Sequence, residues 1–337
     1  MKLIYIANAR IPTEKAHGIQ IMKMCEAFAD SGIQVELVVP KRINEILESP
    51  FIFYGVKHNF KIKKIPCLDL VRLGKIGFYI QSLSFATSSF FYTLKKSADF
   101  IYSRDELPLF FLSFFKKNIF WETHTPKWNF VSKRILKKSG GTISITHGLK
   151  DFYMKNGVRQ ESIFVVPCGV DLDQFDIKID KIKAREDLDL PLDKKIVLYS
   201  GHLYEWKGSQ VLADASQRFT DDVAVIFLGG TNNDIASFEE KNKDKKNIYI
   251  LGRKPHSEVS YYLKSADVLV LPNSAKSEIS EKYTSPMKLF EYMASGVPIV
   301  ASDLPSIREV LNKNNSILVE SDNSKDLAQS IKEAMRD

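Results

Sequence analysis

Cysteine is scarce: Cys25, Cys67 and Cys168 are scattered over 337 residues, and none belongs to a Cys-x-x-Cys pair. Such an odd, dispersed set excludes a disulfide framework or a cysteine zinc site and fits a reducing cytoplasm. Low-complexity tracts are absent. The apolar run in Met1–Ala7 is too short for a signal peptide and reads as a first strand. No interleaved aromatic-basic RNA or DNA motif is visible, which sets nucleic acid aside despite a net charge of +7. That charge favours other acidic partners, namely phosphates or an anionic membrane surface. With 44% hydrophobic residues, the length suits two domains with ordinary cores.

Short apolar runs alternate with helix-length amphipathic stretches, the pattern of parallel sheets wrapped by helices. The expected strands in the first half are 2–7, 35–40, 61–65, 100–103, 118–122, 142–145 and 163–166. In the second half they are 195–200, 223–228, 248–251, 268–271 and 298–301. Helices are expected over 19–31, 76–96, 107–115 and 147–155, then over 208–219, 235–241, 257–264, 286–294 and 324–335. The boundary falls after Pro167-Cys168-Gly169-Val170-Asp171-Leu172-Asp173-Gln174-Phe175, where a Pro/Gly turn precedes the charged segment 176–193. This divides the chain into domains 1–175 and 176–337, two doubly wound α/β domains facing each other across a cleft. Such folds bind ligands at the carboxyl ends of their strands.

Ile76 to Leu94 carries no charge but holds four serines, two threonines, Gln81 and Gly77, a poor composition for a spanning helix. Two readings stand. It is a partly buried helix, or an interfacial one whose flanking lysines meet anionic lipid while Phe78, Phe85, Phe90 and Phe91 dip in.

The most informative stretch is Ser285–Ser302. It places Lys288 and Glu291 near the start of a helix, then a stop at Gly296, then a short apolar strand. A helix start offers free N–H groups and partial positive charge, which suits phosphate, and a carboxylate accepts from a ribose diol. Lys288 and Glu291, three apart, share one helix face, so an ion pair between them explains the spacing as well as a phosphate role does.

This segment resembles the nucleotide-binding signature of the family 4 retaining glycosyltransferases, also called group 1, whose fold is GT-B. The family signature has two glutamates eight positions apart. Glu291 matches the second, which implies contact with the donor ribose, while Tyr283 stands at the first. The resemblance extends to Gly201-His202-Leu203-Tyr204-Glu205-Trp206-Lys207-Gly208. There Lys207 matches the lysine that clamps the diphosphate, and His202 occupies the position of an arginine. Trp121-Glu122-Thr123-His124 resembles a Glu-x-His whose histidine touches the donor sugar; on residue type alone, a structural histidine is the alternative. Gly18 matches a glycine of the first loop, near the donor pyrophosphate. Arg10, Lys15 and His17 make that loop basic and suited to an anionic acceptor.

The resemblance therefore implies catalytic roles for His124, Lys207 and Glu291. Candidate donor contacts are Gly18, His202, Gly229, Arg253, Tyr283, Ser285, Pro286 and Lys288. Arg10, His17 and His147 are candidate acceptor contacts. It implies an N-terminal acceptor domain, a C-terminal nucleotide-sugar domain, anomeric retention, a glycan or lipid-linked acceptor, and a place in cell-envelope polysaccharide or glycolipid synthesis. The expected location is the cytoplasm, with peripheral membrane attachment as a further candidate. No cofactor or metal is expected: Asp171-Leu172-Asp173 lies in the interdomain turn and offers no competing metal motif. Nothing after the helix at 324–335 matches the family's last crossover helix. A non-catalytic sugar-nucleotide binder and a GT-B sugar-nucleotide epimerase are the alternatives.

Overall fold

The computed structural model describes residues 1–336. The chain divides into two compact units. One comprises Met1–Ile145 with Leu149–Val166; the other comprises Thr146–Gly148 and the chain from Pro167 onward. The sequence-based boundary after Phe175 falls inside the second unit, because Phe175 is buried in that unit's core.

The first unit runs β1 (Lys2–Ile6), α1 (Ala16–Asp30), β2 (Gln34–Pro40), α2 (Pro50–Tyr54), β3 (Lys61–Ile65) and α3 (Gly74–Leu94). It continues with β4 (Phe100–Ser103), α4 (Glu106–Leu112), β5 (Ile119–Thr123), α5 (Phe130–Lys138), β6 (Gly141–Ser144), α6 (His147–Lys155) and β7 (Ile163–Val165). All pairings are parallel, in the order β3-β2-β1-β4-β5-β6-β7. The edge strand β3 carries Lys61, Lys63 and Lys64, charges that discourage edge-to-edge pairing.

The second unit runs α7 (Leu172–Phe175), α8 (Lys181–Asp187), β8 (Lys195–Ser200), α9 (Ser209–Ser216), β9 (Val223–Leu228), α10 (Asn232–Asn242), β10 (Ile248–Gly252) and α11 (His256–Ser265). Then follow β11 (Val268–Leu271), α12 (Met287–Ser295), β12 (Ile299–Ser302), α13 (Pro305–Arg308), β13 (Ile317–Val319) and α14 (Ser324–Ala334). The sheet order is β10-β9-β8-β11-β12-β13, again parallel. Alternate residues of one strand enter different cores. Ile196 and Leu198 join one apolar cluster, Val197 and Tyr199 the other, as expected of strands covered on both faces.

Every strand expected from the sequence is present. The three-residue β13 and the short helices α2, α7, α8 and α13 had no comparable signal, and the nine-residue α5 also went unread. In each sheet the strand order reverses once, between β1 and β4 and between β8 and β11. The loops leaving those strands diverge there and open a crevice at the carboxyl ends.

Candidate functional site

In the second unit, the loop after β8 and the segment before α12 carry the chemistry. Gly208 has φ +73°, and a Cβ there would lie 1.6 Å from the Pro272 carbonyl oxygen. Only glycine lets the turn before α9 come this close to the end of β11. A Cβ on Gly229 would likewise lie 2.6 Å from the Gly201 carbonyl oxygen.

This backbone places Lys207 immediately before α9. The side chain is half-buried, with Nζ 4.0 Å from the Trp206 ring centroid, and burial lowers its pKa to about 8. Lys288, on the first turn of α12, is 8% exposed. Its Nζ sits 3.8 Å over the Tyr199 ring and has no hydrogen-bond partner. Burial, and then the charge of Lys207, hold the Lys288 pKa well below its ordinary value, with Glu291 pulling the other way. Two cations therefore share one partly dry place beside Gly201, whose Cβ would lie 3.6 Å from Lys288 Nζ.

The ion pair that the Lys288/Glu291 spacing allows does not form. Glu291 Oε1 instead accepts from His256 Nε2 at 3.1 Å. The Gln174 amide donates to His256 Nδ1 at 3.1 Å, which leaves the ring proton on Nε2 and aims it at the carboxylate. His256 and Gln174 thus orient Glu291, although neither stood out in the sequence. His256 opens α11 next to the candidate Arg253, and that strand-end position was its one available signal.

The remaining candidates of this unit sit in varied surroundings. Tyr283, 8% exposed, ends a π-helical turn (Ile279–Tyr283), and its hydroxyl lies 3.4 Å from Glu278 Oε1. The π-turn thereby brings a carboxylate beside the position of the missing glutamate, out of register in sequence. Ser285 Oγ accepts the Cys168 N–H at 3.0 Å, and Pro286 is the N-cap of α12. His202 stacks on Tyr204, with rings 4.8 Å apart, and lies 3.8 Å from Asp234. Arg253 is exposed after β10. Asp267, at the start of β11, is an anchor: it accepts from Arg185, Lys181 and the Ile196 N–H. The exposed His147 belongs to the segment that groups with this unit.

In the first unit the centre is Glu122, 3% exposed at the end of β5. It accepts from Tyr102 Oη, from His124 Nε2 and from Gln20 Nε2. Burial pushes its pKa up, but His124, Arg104 and Tyr102 outweigh burial and hold it below the usual value. His124 is lowered, chiefly by burial. The pair is therefore an ionised glutamate and a neutral imidazole. Arg104 Nη2 lies 3.3 Å from His124 Nδ1, and its Nη1 donates to Gln20 Oε1 at 2.6 Å. Both imidazole nitrogens are engaged, so this arrangement fixes the ring's orientation and leaves no lone pair to take a proton. The sequence reading missed Arg104, which directly follows β4 at the switch point.

His17 departs from expectation. Burial, with Arg104 and Lys15 nearby, lowers its pKa to about 4, so it is neutral at neutral pH and adds no charge to the loop. Arg10 lies half-buried in the same loop. Gly18 is the third residue of α1, where a Cβ would come within 2.2 Å of Tyr54 Oη and 2.6 Å of Thr13. Packing against those two side chains accounts for the glycine. No group of three or more His, Cys, Asp or Glu able to hold a metal occurs among the described residues.

Residues 194–337 match the family described as glycosyl transferases group 1. A glycosyltransferase assigned to teichuronic acid biosynthesis in Bacillus subtilis is 25% identical over 200 residues, 59% of this chain and 48% of its own length. A D-inositol 3-phosphate glycosyltransferase of Xylanimonas cellulosilytica is 25% identical over 183 residues, 51% of this chain and 42% of its own. The chain thus spans under half the length of these relatives. Among solved structures, Anabaena HepE in complex with UDP and glucose superposes with a TM-score of 0.77 at 15% identity, covering 100% of this chain and 90% of that one. Sucrose-phosphate synthase of Thermosynechococcus elongatus gives 0.78 at 19% identity, with the same two coverages. The two Rossmann-like units thus have the GT-B fold, and residues 194–337 match the family model for glycosyl transferases group 1.

Proposed function

We propose that the chain is a retaining glycosyltransferase that moves a sugar from a nucleoside-diphosphate sugar to a hydroxyl acceptor in cell-envelope polysaccharide or glycolipid synthesis, on the cytoplasmic side. The observation that carries this reading is the buried, unpartnered amino group of Lys288 beside Lys207. Two partly desolvated lysines in contact with no carboxylate take up their full charge only against an anion, and a diphosphate supplies two or more charges in the right compass. The names of the relatives support the class of reaction, and the UDP in HepE supports a uridine nucleotide.

In the reaction, the anomeric C–O bond to the diphosphate breaks and the acceptor oxygen forms its bond on the same face of the sugar. The acceptor proton passes to the departing diphosphate. Lys207, Lys288 and the N–H groups that open α12 stabilise the charge that develops on that leaving group, the task a metal performs in other transferases. Glu291, aimed by His256, takes the ribose hydroxyls. His124 is held in one orientation between Glu122 and Arg104 within the first unit.

A thermal-shift screen with UDP-, GDP- and ADP-sugars, joined to an assay for slow release of free sugar, tests the reading. Stabilisation by a UDP-sugar with measurable hydrolysis is expected. Failure of every nucleotide to stabilise the chain refutes it, and stabilisation without turnover makes the chain a binder.

A further inference from the structure

Helix α3 is built inside out. Its buried face includes Gly77, Gln81, Ser82, Ser89 and Thr93, with Phe85 and Ala86 the apolar members. Several of these polar groups have inward partners. Gln81 Nε2 donates to Asn8 Oδ1 at 2.8 Å, and Asn8 Nδ2 donates to Ser82 Oγ at 3.0 Å. The opposite face is apolar and lies in solvent: Ile76 is 74% exposed, Tyr79 69%, Leu83 52% and Phe91 58%. These positions, with Ile80, recur at helical spacing and form one stripe. A helix of a globular domain turns its apolar stripe to the core; α3 turns it outward.

The apolar surface continues past α3. The Phe90 ring lies 5.2 Å from Phe91 and 5.4 Å from Phe115, and Phe110 lies 5.4 Å from Phe114 and 5.7 Å from Phe130. Phe114, Phe115 and Phe130 are 53, 67 and 73% exposed. The sequence reading had named Phe78, Phe85, Phe90 and Phe91 as the inserting residues. Of these, Phe78 and Phe91 are exposed, whereas Phe85 is fully buried and Phe90 is largely covered, so Ile76, Tyr79, Ile80 and Leu83 take their place on the outward face.

Charge says what covers it. Arg72, Lys75, Lys95 and Lys117 are exposed around the stripe. No Asp or Glu occurs between Asp69 and Asp99, or between Glu106 and Glu122. The nearby carboxylates are already engaged, Glu36 by Tyr92 and Asp69 by Arg42. An apolar stripe flanked by exposed cations matches a bilayer with anionic headgroups, where the cations meet phosphate and the apolar side chains reach the acyl boundary. Among the described residues, no helix is long and apolar enough to cross a membrane. We infer that α3 and its neighbouring phenylalanines dock the first unit on an anionic lipid surface, with α3 lying in the plane of the interface. Through Gln81 and Ser82 the docked helix holds Asn8, in the loop that carries Arg10 and leads into His17 at the start of α1. The inference does not depend on the sugar-transfer reading.

Flotation of the full chain tests it, using phosphatidylcholine vesicles with and without about 30% phosphatidylglycerol. The protein is expected to float with the anionic vesicles at low salt and to be released by high salt. Ile76→Gln combined with Leu83→Gln should lower the partition coefficient about tenfold or more. Arg72→Glu with Lys75→Glu should abolish the preference for anionic vesicles. Leu47→Gln, at a position 93% exposed and away from the stripe, should change nothing. Melting by circular dichroism, unchanged in the variants, shows that their fold is intact. Wild type that stays unbound, or a double-glutamine variant that floats like wild type, overturns the inference. So does a wild-type dimer that this variant dissolves, because the stripe then belongs to a second copy of the chain.

Discussion

The two units place charge at the same point of the same kind of sheet in opposite ways. At the first switch point, Glu122 is answered by Tyr102, His124 and Gln20, and Arg104 by Gln20 and His124. At the second, Lys207 and Lys288 face one another's charge, and Lys288 Nζ has no acceptor. A polar cluster that closes on itself is rigid and preorganised. One that leaves like charges together stores unfavourable energy that an external anion relieves. The first arrangement suits a wall that positions, the second a seat that binds.

The sharpest way to break this contrast is Lys288→Met. UDP affinity measured by calorimetry should fall about a hundredfold, equal to about 2.7 kcal/mol. The melting temperature should hold or rise, because a buried amino group without a hydrogen-bond partner is replaced by an apolar side chain. Affinity that survives would place the seat elsewhere.

Glu122→Ala is the converse test. It strips the partner from the buried Tyr102 hydroxyl and from His124, so urea unfolding should show a loss of about 1–3 kcal/mol, while UDP affinity stays as it was. An unaffected stability would mean that the cluster is not closed in the way described.

A smaller effect separates the sites by pH. Lys207 titrates at about 8 in the folded chain and near 10.4 when unfolded. Between those values the unfolded chain holds more protons, so the stability of the free protein should rise with pH. UDP affinity should fall over the same rise, because the diphosphate needs the protonated lysine. A titration showing both trends in one direction would contradict the assignment.

Smallest is His17→Gln. His17 titrates at about 4 when folded and near 6.5 when unfolded, so wild-type stability should decline as pH falls from 6.5 towards 4. The variant should melt with less acid sensitivity than wild type; identical profiles would show that His17 is not held neutral.

Both sheets could be read in advance because their strands are apolar runs covered on both faces, as in Val223–Leu228, and such runs declare themselves without partners. Short elements such as β13 and α13 carry too few residues for a period to emerge. Lys207 and Glu291 were legible from spacing against glycines and helix starts. Arg104, His256 and Gln174 were not, since each acquires its role from a residue distant in sequence: Gln174 meets His256 across 82 positions.

Composition and periodicity by themselves determined that this chain forms parallel α/β domains, and local spacing determined that Lys207 and Lys288 would stand at helix starts. Tertiary structure decided which lysine stays unpaired, which carboxylate is aimed by a histidine, and which face of α3 turns outward. The physical reason is that periodicity records where apolar residues recur along a helix but not what the other face meets. In α3 the small and polar face packs inward, where Gln81 Nε2 and Ser82 Oγ bond to Asn8, and the apolar stripe is left for solvent or lipid.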